Sequence, residues 1–121
     1  MVLIVDDNTT IANNIIDELS LDDVEATAVH KVDDFLALIE SDDFSNYTTI
    51  IMDYNLEDRM NGIQLLEILL EKVSYKCTKK IYLFSGNISY ITQDETNFLE
   101  KNMIKAMCKT QQESLIEEII A

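Results

Sequence analysis

Two kinds of apolar segment alternate along the chain. One kind is short, continuous and rich in β-branched residues: Val2–Val5, Val24–Val29, Thr49–Met52, Ile81–Phe84 and Ile104–Cys108. Such runs fit strands buried on both faces. The other kind carries apolar residues at three- and four-residue spacing, the repeat of a helix with one face on a core. Ile11, Ala12, Ile15, Ile16 and Leu19 predict a helix over 9–20. Phe35, Leu36, Leu38 and Ile39 predict one over 33–40, and Ile63, Leu65, Leu66, Ile68, Leu69 and Leu70 predict one over 62–73. Two more helices announce their starts. "TQDE" (92–95) and "TQQE" (110–113) both have capping-box spacing, with Thr to accept from a backbone N–H and Glu to reach back. The last helix then runs through Leu115, Ile116, Ile119 and Ile120.

Strand followed by helix, five times over, predicts an α/β fold: a five-stranded parallel sheet, doubly wound in the flavodoxin-like manner, with helices on both faces. No repeat, proline or linker interrupts residues 1–121, which read as a single domain without an output domain. In such a sheet ligands bind outside the carboxyl ends of the strands. The residues expected there are Asp6 and Asp7, Asp53, Ser85 and Lys109. Three carboxylates, a hydroxyl and an ammonium therefore share one rim.

Charge narrows the chemistry. The net charge is −14, and residues 1–58 hold 15 acids against one base, Lys31, while residues 59–121 hold 8 of each. Phosphate backbones are bound by clustered Lys and Arg, so direct nucleic-acid binding is excluded as a first reading. An acidic half favours cations or a basic partner surface; the plainer alternative is a solvated face. No apolar run reaches the ~18 residues of a membrane span. Residues 1–5 are apolar, but acids follow at once, unlike a signal peptide. Cys77 and Cys108 lack paired spacing, which fits a reduced, cytoplasmic chain.

Clustered carboxylates repel one another unless a cation sits among them. Oxygen donors without His or Cys suit a hard ion such as Mg²⁺. Mg²⁺ held by carboxylates and phosphate oxygens is common in phosphoryl transfer. A carboxylate can itself be the nucleophile and form an aspartyl-phosphate. Lys109 and the Ser85 hydroxyl could hold the remaining phosphate oxygens, and Gly86 would leave room for the group.

Across its length the sequence resembles the receiver domains of two-component response regulators. "LIVDDN" (3–8) matches the first strand with its acidic pair, and "IIMDYNL" (50–56) the strand bearing the phosphoacceptor. "MNGIQLL" (60–66) matches the turn into the third helix, "FSG" (84–86) the strand with the hydroxyl, and "MCK" (107–109) the strand with the lysine. The resemblance implies that Asp53 accepts a phosphoryl group from a sensor histidine kinase or a histidine phosphotransfer protein. It implies that Asp6 or Asp7, Asp53 and the backbone carbonyl of Asn55 hold Mg²⁺. Lys109 would pair with the phosphoryl group and Ser85 would reorient to bond it. Asn55 and Asn87 stand where the family tunes phosphate loss, and one or both of Ile11 and Ile15 would be exposed to dock the phosphodonor. The signal would pass to a downstream protein through the surface built by residues 87–121, with no membrane and no nucleic acid contacted. The chain departs from the family in three places. Ala106 stands where a switch aromatic is usual, Thr110 follows the lysine where Pro is usual, and "NLEDRMNG" (55–62) lacks the usual Pro and runs about a residue long.

Each residue also has a plainer reading. Asp53 can cap a loop, Lys109 can be a structural ion pair, Ser85 before Gly86 can be an ordinary turn, and His30 reads as a surface histidine. Two other functions compete. A pseudo-receiver would bind a partner without phosphate, and Ala106 is its best argument. A haloacid-dehalogenase-type phosphatase would use Asp6 as nucleophile with Thr10 following, although Asn8 then occupies the place of the general acid.

Overall fold

The computed structural model describes residues 1–56, 59–73, 79–86 and 88–121. In chain order it shows β1 (Val2–Val5), α1 (Thr9–Ser20), β2 (Ala26–Val29), α2 (Val32–Ile39), β3 (Thr49–Met52), α3 (Gly62–Val73), β4 (Lys80–Ser85), α4 (Gln93–Lys101), β5 (Lys105–Cys108) and α5 (Gln112–Ile120). The strands pair in the order β2-β1-β3-β4-β5, and every pairing is parallel. This is the doubly wound, flavodoxin-like sheet that the alternation predicts.

Alternate residues of the strands face two separate cores. Leu3, Val5, Ile50, Met52 and Leu83 pack with Phe35, Ile63, Leu66 and Leu99, which places α2, α3 and α4 on one face. Val2, Ile4, Ile51, Tyr82, Phe84 and Met107 pack with Ala12, Ile15, Leu19, Leu115 and Ile116, which places α1 and α5 on the other. Burial on both faces explains why β1, β3 and β4 read as unbroken apolar runs. β2 lies at one edge, and its residues are only half-buried or exposed. It is shorter than expected: Val24 belongs to the turn after α1, where its N–H donates to the Leu19 carbonyl at 3.0 Å.

The first predicted capping box forms. Glu95 N–H donates to Thr92 Oγ1 at 3.1 Å, and Thr92 N–H to Glu95 Oε1 at 3.0 Å. The second does not. A 3-10 turn over Lys109–Gln111 precedes α5 instead, and Gln111 Oε1 accepts from Cys108 N–H at 3.0 Å. Thr110 therefore lies inside that turn, and α5 begins at Gln112 behind Gln111, which makes no side-chain cap bond. Further 3-10 turns, unforeseen from the sequence, span Asp42–Asn46 and Ile88–Tyr90.

Candidate functional site

The last rungs of the ladder set the site. Asp6 N–H donates to the Val29 carbonyl at 3.2 Å and Asp53 N–H to the Val5 carbonyl at 2.9 Å, so both acids are extensions of paired strands. Their side chains are almost wholly buried. Asp6 Oδ1 accepts from Asn8 N–H at 2.8 Å, and Asn8 Oδ1 in turn caps α1 by accepting from Ile11 N–H at 3.1 Å. The other Asp6 oxygen lies 3.0 Å from Lys109 Nζ, which also lies 3.4 Å from Asp53 Oδ2. One ammonium, at the end of β5, thus bridges two buried carboxylates at the ends of β1 and β3.

The electrostatics follow from that arrangement. Burial, and then the charge of Asp6, push the Asp53 carboxyl from its ordinary 3.8 up to about 7, although Lys109 pulls the other way. Burial alone would lower the Lys109 ammonium, but the two carboxylates outweigh it and raise its pKa. A single lysine is therefore too little positive charge for this rim. Carboxylate oxygens of Asp6, Asp7 and Asp53 come within 4.8 Å of one another. All-oxygen donors this close suit a hard divalent ion, and a proton held to about pH 7 on Asp53 marks where its charge is wanted.

A cleft of about 610 Å³ opens over these groups, lined by Asp7, Asn8, Asp53, Tyr54, Asn55, Ser85, Gly86, Tyr90 and Lys109. It gathers Asp7, Asp53, Asn55, Ser85 and Lys109 from the sequence-predicted set, and Asp6 reaches it through Lys109. Ser85 is buried at the end of β4, in register with Cys108 beside the lysine. A Cβ added at Gly86 would meet no atom within 4 Å, so that side of the cleft is open, as the small residue suggests. Asn87 and Cys77 lie outside the described residues; Cys108 is a free thiol. Ala106 is half-buried on β5, against the core shared with α4.

Gly62 is needed for a reason no motif states. A Cβ there would overlap the Asp53 carbonyl oxygen and sit 2.9 Å from Met52 Cγ. Its N–H also donates to the Tyr54 carbonyl at 2.8 Å. Gly62→Ala must therefore move the strand end that carries Asp53, and is expected to cost about 2 kcal/mol in denaturant unfolding. An unchanged midpoint would show that the strand end yields freely.

Two expectations need correction, the first of them for Ile15 alone. Ile15 is fully buried in the α1–α5 core, and Ile11 is half-buried beside it, so Ile15 offers nothing to a docking partner. α1 turns its apolar stripe inward because α5 and the sheet must be covered. His30 is not a free surface residue: it is half-buried, and its Nδ1 lies 2.8 Å from the Asp6 carbonyl, pinning the turn after β1. Three further contacts were not among those expected. Tyr54 donates its hydroxyl to Glu95, 41 positions away. Tyr90 reaches the cleft from the turn after β4. Asn61 and Gln64 cap α3 reciprocally, at 2.8 and 2.9 Å; Asn-x-x-Gln has the spacing of a capping box and was legible in principle.

The response regulator receiver domain model matches residues 2–121. The chain belongs to that family. It is thus a receiver of two-component signalling, a family whose members are not in general classical enzymes, and the phosphatase reading falls. Solved structures share the fold. A CheY-like receiver domain protein from Methanospirillum hungatei is 24% identical, covers 98% of this chain and 88% of its own, and gives a TM-score of 0.77. The receiver domain of a Francisella response regulator is 22% identical, with 98% and 91% covered and a TM-score of 0.76. The receiver domain of the histidine kinase CKI1 from Arabidopsis thaliana, a complex with Mg²⁺, is 20% identical, with 98% and 90% covered and a TM-score of 0.73. No curated protein matches. No helix among the described residues is long and apolar enough to cross a membrane.

Proposed function

We propose that this receiver accepts a phosphoryl group on Asp53 from a phosphohistidine of a sensor kinase or phosphotransfer protein. The observation that supports it most is the buried Asp53 carboxylate, bridged to Asp6 by Lys109 at the open rim of the sheet. An Asp53 oxygen attacks phosphorus, the donor's N–P bond breaks, and the bonding pair returns to the imidazole. The product is an acyl phosphate, and water later returns the carboxylate. Lys109 is placed to neutralise phosphoryl oxygens as charge builds. Ser85 lines the same cleft and would donate its hydroxyl to one of them. Asp6, Asp7, Asp53 and the Asn55 carbonyl would hold Mg²⁺. When bound, the ion offsets the carboxylates' repulsion and the charge of the incoming group. The role is then a switch, not metabolic turnover: the phosphorylated form acts in the cytoplasm through a downstream protein, without touching nucleic acid directly.

Intact mass after incubation with acetyl phosphate tests this. A Mg²⁺-dependent adduct is expected on the wild type and not on Asp53→Asn. Absence of any adduct on the wild type, with partner binding indifferent to Asp53→Asn and to chelation, would favour the phosphate-independent pseudo-receiver.

A further inference from the structure

Tyr54 directly follows Asp53 and is among the residues that line the same cleft. Its hydroxyl donates to the Glu95 carboxylate, 3.1 Å from Oε2 and 3.3 Å from Oε1. That carboxylate is already the one that accepts Thr92 N–H in the capping box of α4. A single side chain therefore fastens the first turn of α4 both to its own cap and to the residue beside the phosphoacceptor. We propose that the Tyr54 hydroxyl reads the charge on Asp53 and that its bond to Glu95 passes the reading to α4, an inference that rests on the proposed function.

The chemistry of one proton carries the argument. A phenol has a single O–H to donate. In the unphosphorylated site that proton goes to Glu95. A phosphoryl group on Asp53 brings about −1.5 to −2 charge and three strong acceptor oxygens into the same cleft. Two acceptors then compete for one donor, and the phosphoryl oxygens carry the greater charge. The Tyr54 backbone cannot follow, because its carbonyl is held by Gly62 N–H. Only the side chain can change partner.

α4 is built to respond. It is nine residues long, and Leu99 is its one buried residue. Beneath it lies a cleft of about 300 Å³, lined among others by Thr96 and Leu99 of α4 and by Ile91, Ile104 and Ala106. The methyl of Ala106 leaves that space unfilled. A short helix with one fully buried residue, a half-buried Phe98 beside it and room beneath leans on its cap. When Tyr54 leaves Glu95, the first turn loses one of its two ties and loosens. The surface that changes is therefore the amino end of α4, and no aromatic at position 106 is required to change it.

Amide hydrogen exchange over residues 93–101 of the full chain, with intact mass as the measure of the adduct, tests the route. The probes are Mg²⁺ and acetyl phosphate. In the wild type the first-turn amides are expected to exchange about fivefold faster once the adduct forms, the scale of one weakened cap. Tyr54→Phe keeps the ring and loses the proton; it should take the adduct and exchange at the faster rate with or without it. Glu95→Gln keeps an acceptor for both donors and should respond as the wild type does. If Tyr54→Phe takes the adduct and still shows the full wild-type change, Tyr54 is not the reader, while the proposed function stands. If the wild type takes no adduct, the proposed function fails and this inference falls with it.

Discussion

Without a divalent cation, the wild type should melt at a lower temperature near pH 8 than near pH 5, and Asp53→Asn should remove most of that slope. An unfolded chain releases the Asp53 proton near 3.8, but the folded one keeps it until about 7. Between those values the folded state binds the extra proton. Stability from this group is therefore complete below the lower value and is lost as pH rises through the higher one. The physical cost is first the burial of the charged carboxylate, and then its ionising beside Asp6 with only Lys109 to share. Asparagine has no proton to lose, so the difference between the two melting curves reports the titration of Asp53 together with its coupling to Asp6 and Lys109. Added Mg²⁺ should restore the wild type near pH 8 and do little near pH 5, because it competes with the proton for the same oxygens. Parallel pH profiles for the two proteins in chelator would show that Asp53 ionises freely.

The second large effect lies away from the cleft. Ile15→Asp should unfold most of the population, because position 15 is fully buried among the sheet and α5. A carboxylate there finds no partner, and the loss of about 3–5 kcal/mol approaches the whole stability of a small domain. Ile15→Val should cost only about 1 kcal/mol. Circular dichroism melts of the two variants separate these outcomes. A folded Ile15→Asp protein would mean that α1 can turn its stripe outward. An unfolded Ile15→Asp protein that takes no phosphate would say nothing about docking, since a misfolded receiver fails for any donor.

The parts of this molecule legible in its sequence are those decided by local pattern. Strands buried on both faces are unbroken apolar runs, and polar residues at their carboxyl ends mark the rim, so the pattern alone places Asp6, Asp53, Ser85 and Lys109 together. What stayed hidden depends on competition between neighbours or on distance along the chain. "TQDE" and "TQQE" look alike, yet only Thr92 caps its helix. Gln111 is taken by the N–H of Cys108, which tightens the chain just after Lys109 and moves the start of α5 beyond Thr110. Ile11 and Ile15 both belong to the helical stripe, and periodicity cannot say that one is half-buried and the other wholly so. The Tyr54–Glu95 contact joins residues 41 positions apart, and the spacing of either residue gives no hint of the other.

The pairing order has a consequence for how the site is assembled in time. β1 pairs with both β2 and β3, so the first 53 residues already contain three adjacent strands and the carboxylates of Asp6, Asp7 and Asp53. β5 pairs only with β4 and carries the lysine at its end. A chain made from its amino end thus gathers its like charges first and receives the neutralising one almost last. Docking of β5 is therefore favoured both by its pairing with β4 and by the charge that Lys109 brings to Asp6 and Asp53. Closure of the sheet and charge balance of its rim are, for this chain, the same event.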